Sequence, residues 1–511
     1  MGLLLCDICG ADIVIQASGT IGVCTKCGAK YTIERLHEKF YETCEEHPRL
    51  SSSEAQLYEL YNRYFDLGEY QEAERIIKKI LDLTPYDENA WRKYHELSSL
   101  KNMEIKNGVL MKYTGHETKV SIPNCVHTIR ERAFSGKYSI EQLAIPDSVN
   151  IIEACAFASC TALKRVKLSA SIRKIEDCVF AGCKSLEYIE IPNSVAEIGG
   201  SAFYDCSSLT IVDIPSSVTK IGPSAFEDCS SLTRATIPTS VCKIGEKAFY
   251  NCKQLSTVTF PKRNGRNAGQ ALEVGSSIFE GCSSLTQINL PAHLPKIGER
   301  MFGGCTAIDH FKIPDTIREI GRAAFIGCRA LANIEIPTSV REIERDAFCS
   351  CIALTRIEIP ASVSKIGDGA FNSCQNLIEV AFTERGKGMQ ESLTQIPAHA
   401  FEGCISLAHV NIPNGITTIG AGTFENCRSL VTIEIPASVK IIDTGAFSNC
   451  TNLESVVYMG NPQLGFAAFD NTKYGNKKRW RIAGRCAYCG GIFTGTLLKR
   501  CTRCGRLKNY Y

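Results

Sequence analysis

The 511-residue chain has no run approaching eighteen apolar residues, so no membrane-spanning helix is expected. Its first residues, MGLLLCDICGAD, have no charged n-region and only a four-residue apolar stretch, so they do not read as a signal peptide. Nine histidines are scattered without an H-E-x-x-H pair, and no G-x-x-x-x-G-K-[ST] phosphate loop is present. Gly420-Ala-Gly422 opens like a dinucleotide fingerprint, but it falls at a recurring glycine position and reads as a turn. With no constellation for catalysis, the chain is expected not to be an enzyme. Acidic residues are missing from one region only. Between Lys473 and Tyr511 there are eleven Lys or Arg and no Asp or Glu, so the rest of the chain is net −8 although the whole is +3.

Cysteine, by contrast, is abundant and periodic. Cys160, Cys183, Cys206, Cys229 and Cys252 are 23 residues apart, as are Cys282, Cys305, Cys328, Cys351 and Cys374, and then Cys404, Cys427 and Cys450. Around each cysteine the chain repeats roughly S-V-x-x-I-G-x-x-A-F-x-x-C-x-x-L-x-x-I-x-I-P, as in residues 194–215 and 339–360. Ala133-Phe134 and Ala468-Phe469 extend the phase, with Lys137 and Thr472 at or near the cysteine position. About fifteen coils therefore run from near residue 110 to near residue 472. A unit this short cannot bury its own apolar face and must stack on its neighbours.

In L-x-x-I-x-I the side chains alternate, with Leu354, Ile357 and Ile359 inward and Arg356 and Glu358 outward, the period of a half-buried strand. The following proline has no N–H to donate and ends the ladder, as at Ile191-Pro192 and Ile359-Pro360. The glycine of I-G-x-x-A-F, as at Gly222 and Gly367, is expected to adopt a turn conformation that a side chain would hinder. Parallel strands spaced by about 4.8 Å would stack into a rod or arc on the order of 70 Å long. The thirteen periodic cysteines are expected to be reduced core residues, which places the protein in a reducing, cytoplasmic setting.

The A-F-x-x-C and L-x-x-I-x-I-P elements resemble the BspA-like subclass of leucine-rich repeat proteins, over roughly 360 residues. The resemblance implies a repeat solenoid with a parallel β-sheet and short turn or helical segments. Members are mostly surface or interaction proteins of microbes, several of them adhesins, which implies ligand binding without catalysis.

Eight further cysteines form two quartets: Cys6, Cys9, Cys24 and Cys27, and Cys486, Cys489, Cys501 and Cys504. Each C-x-x-C-G knuckle brings two thiolates to one ion from a tight turn. Four thiolates suit tetrahedral Zn²⁺ and leave no position for water, so both sites are expected to be structural. The two ends look like zinc ribbons. Between the first ribbon and the solenoid, Leu57, Leu60, Tyr61 and Tyr64 and then Tyr70, Ala73, Ile76, Ile77 and Ile80 follow helical spacing, interrupted at Gly68 and ended at Pro85. The placing of Gly68, Tyr70, Ala73 and Pro85 resembles a tetratricopeptide repeat, with Tyr61 where that family usually has glycine.

The expected organisation is an N-terminal zinc ribbon (1–35), a helical, tetratricopeptide-like segment (36–105), the solenoid (106–472) and a basic C-terminal zinc ribbon (473–511). Outward strand positions vary while inward ones stay apolar. A protein-binding patch is expected around Tyr188, Ile211 and Arg234, with Arg356 further along the same column. Two insertions, within residues 262–270 and 384–392, leave the solenoid at one phase and read as surface loops. The expected function is a non-catalytic protein-interaction scaffold. The alternatives are nucleic-acid binding through the basic tail, where Lys or Arg interleave with Trp480, Tyr488, Phe493 and Tyr510, and a surface adhesin.

Overall fold

A computed structural model describes residues 13–15, 21–24, 26–27, 29–32, 52–66, 69–100, 102–261, 272–291, 294–383, 393–476, 493–494 and 500–501. The chain divides into two compact units, residues 1–115 with 123–126, and residues 116–122 with 127–511.

In the first unit, β1 (Ile13–Ile15), β2 (Ile21–Cys24) and β3 (Lys30–Thr32) form an antiparallel sheet in the order β1-β2-β3. Three helices follow: α1 (Ser52–Asp66), α2 (Tyr70–Leu83) and α3 (Glu88–Leu100). Helix α2 buries Ala73, Ile77, Ile80 and Leu81 along one stripe. It ends where Thr84 donates both its N–H and its hydroxyl to the Ile80 carbonyl, 2.7 and 2.9 Å away. Tyr61, at the position where glycine was the norm of the resembled repeat, is 1% exposed and stacks on Phe65 at 5.6 Å. Its ring also lies under the Lys93 ammonium of α3 at 4.5 Å.

The second unit is a parallel β-solenoid of fifteen coils. One phenylalanine per coil, from Phe134 to Phe469, forms an unbroken interior stack. Successive ring centroids are 5.0 to 5.9 Å apart and successive planes differ by 2 to 28°. The L-x-x-I-x-I segments pair in parallel and in register, for example Arg165 with Tyr188 and Val166 with Ile189. A second, shorter ladder joins the K-I positions, such as Lys174 with Glu197 and Ile175 with Ile198.

The A-F-x-x-C turn closes each coil by alternating its amides. Cys155, Phe157 and Ser159 donate to the carbonyls of Asp177, Val179 and Ala181 in the next coil. Ala156, Ala158 and Cys160 donate to Glu153, Cys155 and Phe157 within their own turn. This alternation requires two left-handed residues per coil, here Cys155 (φ 58) and Ser159 (φ 59). The second of them is Gly, Asn, Asp or Ser in all fifteen coils, from Gly136 to Asn471, the small residues that tolerate that conformation best.

The glycine before each turn answers a different need from the one expected. Gly222 and Gly367 do not have positive φ; their role is close approach. A Cβ on Gly222 would lie 2.5 Å from the backbone carbon of Gly199 in the preceding coil, and one on Gly367 would lie 2.3 Å from the Arg345 nitrogen. Two of the glutamates at the same position reach back to a backbone amide of the preceding coil, from Glu153 to Glu131 N (2.9 Å) and from Glu344 to Arg322 N (3.1 Å), whereas Glu176 pairs with Lys174.

The two insertions fall outside the described residues, but their bases do not. In an ordinary coil the last inward residue donates to the backbone of the next coil, as Ile237 does to the Thr259 carbonyl at 2.9 Å. After each inserted coil an asparagine side chain takes that role. Asn289 accepts from Phe260 N at 3.2 Å and donates to Phe260 O at 3.0 Å. Asn411 does the same for Phe382, at 3.0 and 3.3 Å.

Two outcomes are expected. Gly222→Ala should destabilise the solenoid by about 1–3 kcal/mol, because neighbouring backbone must yield. Asn411→Ala should cost about 1–3 kcal/mol by stranding two half-buried backbone groups. Denaturant unfolding followed by circular dichroism measures both; a change under about 0.5 kcal/mol for either would contradict the assigned role.

Candidate interaction surface

The outward face of the long sheet is built by register. Tyr188 lies directly beside Ile211, and Ile211 beside Arg234, on three successive strands. Because the strands pair in parallel without slippage, residues 23 apart in sequence become a contiguous row. Tyr188 is 48% exposed, Ile211 is half-buried and Arg234 is exposed. The next outward column carries Glu190, Asp213, Thr236 and Thr259.

A third column, at the sheet's margin, is already committed to structure. Thr210, Thr233, Ser256 and Thr286 each donate a hydroxyl to a carbonyl of the preceding coil, at 3.1 to 3.3 Å. A shallow concavity over Asp213, Arg234, Thr236 and Thr257 adjoins this margin. Arg356 is not part of the same patch. It lies on a separate stretch of the column, beside Glu379, with its Nε 3.6 Å from the carboxylate.

The thirteen periodic cysteines form a buried column, each 0 or 1% exposed. Each thiol donates to the carbonyl of the stacked phenylalanine one coil earlier, such as Cys183 to Phe157 and Cys305 to Phe279, at 3.0 to 3.3 Å throughout. A thiol fits because it is small, inexpensive to desolvate and still a donor. Burial pushes the Cys328 and Cys404 thiols up to about 12. Cys160 goes the other way, chiefly through the neighbouring Cys183 thiol. Another set, Cys155, Cys178, Cys242 and Cys349, is half-buried outside this column.

Of the two quartets, Cys6, Cys9, Cys486, Cys489 and Cys504 lie outside the described residues. Cys24 is the last residue of β2 and Cys27 lies in the exposed turn that leads into β3. Cys501 ends a short antiparallel pairing of Phe493–Thr494 with Arg500–Cys501. The basic run from Lys477 to Arg485 lies outside the described residues. No helix among the described residues is long and apolar enough to cross a membrane.

Native alkylation near pH 8 should modify Cys155, Cys178, Cys242 and Cys349 well before the periodic thirteen, which should react only on unfolding. Peptide mass spectrometry reads the order, and equal rates for the two sets would refute the buried column.

The model of the BspA type leucine rich repeat region (6 copies) matches residues 103–230, 155–271, 272–391 and 387–478. Among solved structures, a leucine-rich repeat protein from Bacteroides ovatus is 26% identical. The match covers 71% of this chain and 87% of that one, with a TM-score of 0.56. A leucine rich cell surface protein from Faecalibacterium prausnitzii is 31% identical over 70% of this chain and 92% of that one, with a TM-score of 0.39. None of the curated proteins matches. A family match spanning most of the solenoid, on a structure whose every coil repeats the same core, places the chain in the BspA-type leucine-rich repeat family.

Proposed function

We propose that this chain is a non-catalytic interaction scaffold that docks a protein partner on the outward sheet face at Tyr188, Ile211 and Arg234. The observation that carries this reading is the register that aligns an exposed aromatic, an aliphatic and an arginine in one row. These side chains stand on strands whose backbone groups are already paired, so little conformational entropy is lost when they are covered. Aromatic and arginine side chains are the usual energetic centres of protein interfaces. The hydroxyl margin beside them, spent on internal hydrogen bonds, offers little competition for polar ligands.

In the same reading, the two cysteine quartets hold structural Zn²⁺ and stabilise small terminal modules, and the helical segment is a tetratricopeptide-like spacer. The column of reduced thiols, each acting as a donor, supports a reducing, cytoplasmic setting.

Affinity capture with the full chain, compared with Tyr188→Ala and Ile211→Asp, tests the surface. Each variant should weaken retention of the captured partner about tenfold or more, with the circular dichroism spectrum unchanged. Undiminished capture by both would reject this face. Elemental analysis should give two zinc ions per chain, falling by one in Cys27→Ser and by one in Cys504→Ser.

A further inference from the structure

We propose that Cys155 and Cys178 close reversibly into a disulfide between neighbouring coils when the protein meets a low-molecular-weight disulfide of the glutathione type. Five cysteines among the described residues are half-buried: Cys125, Cys155, Cys178, Cys242 and Cys349. Of these only Cys155 and Cys178 stand one repeat apart. Both are the first left-handed residue of their turn, each with φ 58. Cys178 lies between the Asp177 and Val179 carbonyls, which accept the amides of Cys155 and Phe157 at 2.9 Å. The two residues are thus related by one step along the solenoid, whose size is given by the Phe157 and Phe180 rings, 5.5 Å apart with planes 7° from parallel.

The repeat also shows where a side chain at this place points. In the same column a Cβ on Gly369 would lie 2.5 Å from Oδ1 and 3.7 Å from Cγ of Asp346, one coil earlier. A Cβ on Gly422 would lie 2.6 Å from Nδ1 of His399, again one coil earlier. Asp346 and His399 share the backbone conformation of Cys155, with φ 56 and 57. A side chain here therefore leans on the Cβ of the next coil, and in that rotamer Sγ of Cys155 takes the place of the Asp346 Cγ. In a disulfide each sulfur stands about 3 Å from the partner's Cβ, so the two sites need to close by less than about 1 Å. A bond that must pull its coils together is readily reduced, which makes it reversible.

Cys160 and Cys183 are also one repeat apart, but they are 1 and 0% exposed. Each of their thiols is committed to a carbonyl, of Phe134 and Phe157 respectively. The outer pair is the one that an oxidant in solution reaches. The coils it joins carry the paired strands of Arg165 and Tyr188, so oxidation fastens the coil that presents Tyr188 to the one before it.

The exchange balances. The Cys155 thiolate, its proton lost to water, attacks one sulfur of oxidised glutathione and expels the first glutathione thiolate. The Cys178 thiolate then attacks Sγ of Cys155 in the mixed disulfide and expels the second. The two expelled thiolates take up two protons, so two protein thiols are oxidised and one glutathione disulfide is reduced. Burial, and then the Cys155 thiol beside it, push the Cys178 thiol up. That suits Cys178 to the second, intramolecular step, where proximity offsets a small thiolate fraction.

The test incubates the reduced full chain in mixtures of reduced and oxidised glutathione, quenches with acid, blocks free thiols with N-ethylmaleimide and digests with trypsin for tandem mass spectrometry. Excess oxidised glutathione should link residues 138–164 to residues 175–184 in most chains, with fragmentation placing the bond at Cys155 and Cys178. Excess reduced glutathione should return both to thiols. Cys178→Ser should stop at a glutathione adduct on Cys155, whereas Cys242→Ser should form the link as wild type does. Serine already occupies this place at Ser201 and Ser224, so Cys178→Ser fits the fold. A bond between Cys160 and Cys183 instead, separate adducts on Cys155 and Cys178 in wild type, or both thiols still free in excess oxidised glutathione overturns the proposal. A link that survives excess reduced glutathione also overturns it.

Discussion

Pairing of backbone amides between coils is the constraint from which the rest of the solenoid follows. A coil of 23 residues has no sheet and no core of its own, so the N–H groups on its three sides must find acceptors in the coils before and behind it. In the turn, every second amide points forward and the alternate ones close locally. That pattern fixes two left-handed residues per coil, and the phenylalanine carbonyl, which already takes the cysteine amide of its own turn, accepts a thiol of the next coil with its second lone pair. The cysteine column is thus a response to the backbone rather than a redox or metal-binding array.

The same constraint accounts for the glycine column. Coils held at hydrogen-bonding distance bring backbone against backbone at one point per turn, which favours glycine there, while the side chains of Glu153 and Glu344 at the same place contribute an acceptor. Side-chain identity is dictated inside and at these contacts, whereas the outward columns are released to vary. Exposed charges along the second ladder, such as Lys243 with Glu273 at 3.0 Å and Lys365 with Glu342 at 3.0 Å, add little stability individually.

Much of this was legible in the sequence. The period, the phenylalanine and cysteine columns, the half-buried strands and the row of Tyr188, Ile211 and Arg234 all follow from aligning residues 23 apart. Gly222 and Gly367 were misjudged because a recurring glycine signals a special backbone requirement without saying whether it is φ or proximity. Asn289 and Asn411 looked like ordinary outward residues, since their task depends on a strand edge that exists only beside an insertion.

The asparagine staples bear on how such arrays change length. Because a single amide side chain can stand in for a stretch of main chain, an extra segment can be spliced between two modules without disturbing the lattice on either side. Evolution, or a protein engineer, needs only to exchange the last inward isoleucine for a phenylalanine and place one asparagine in the following module. The architecture therefore carries its own grafting points, and variation in reach can be acquired one loop at a time.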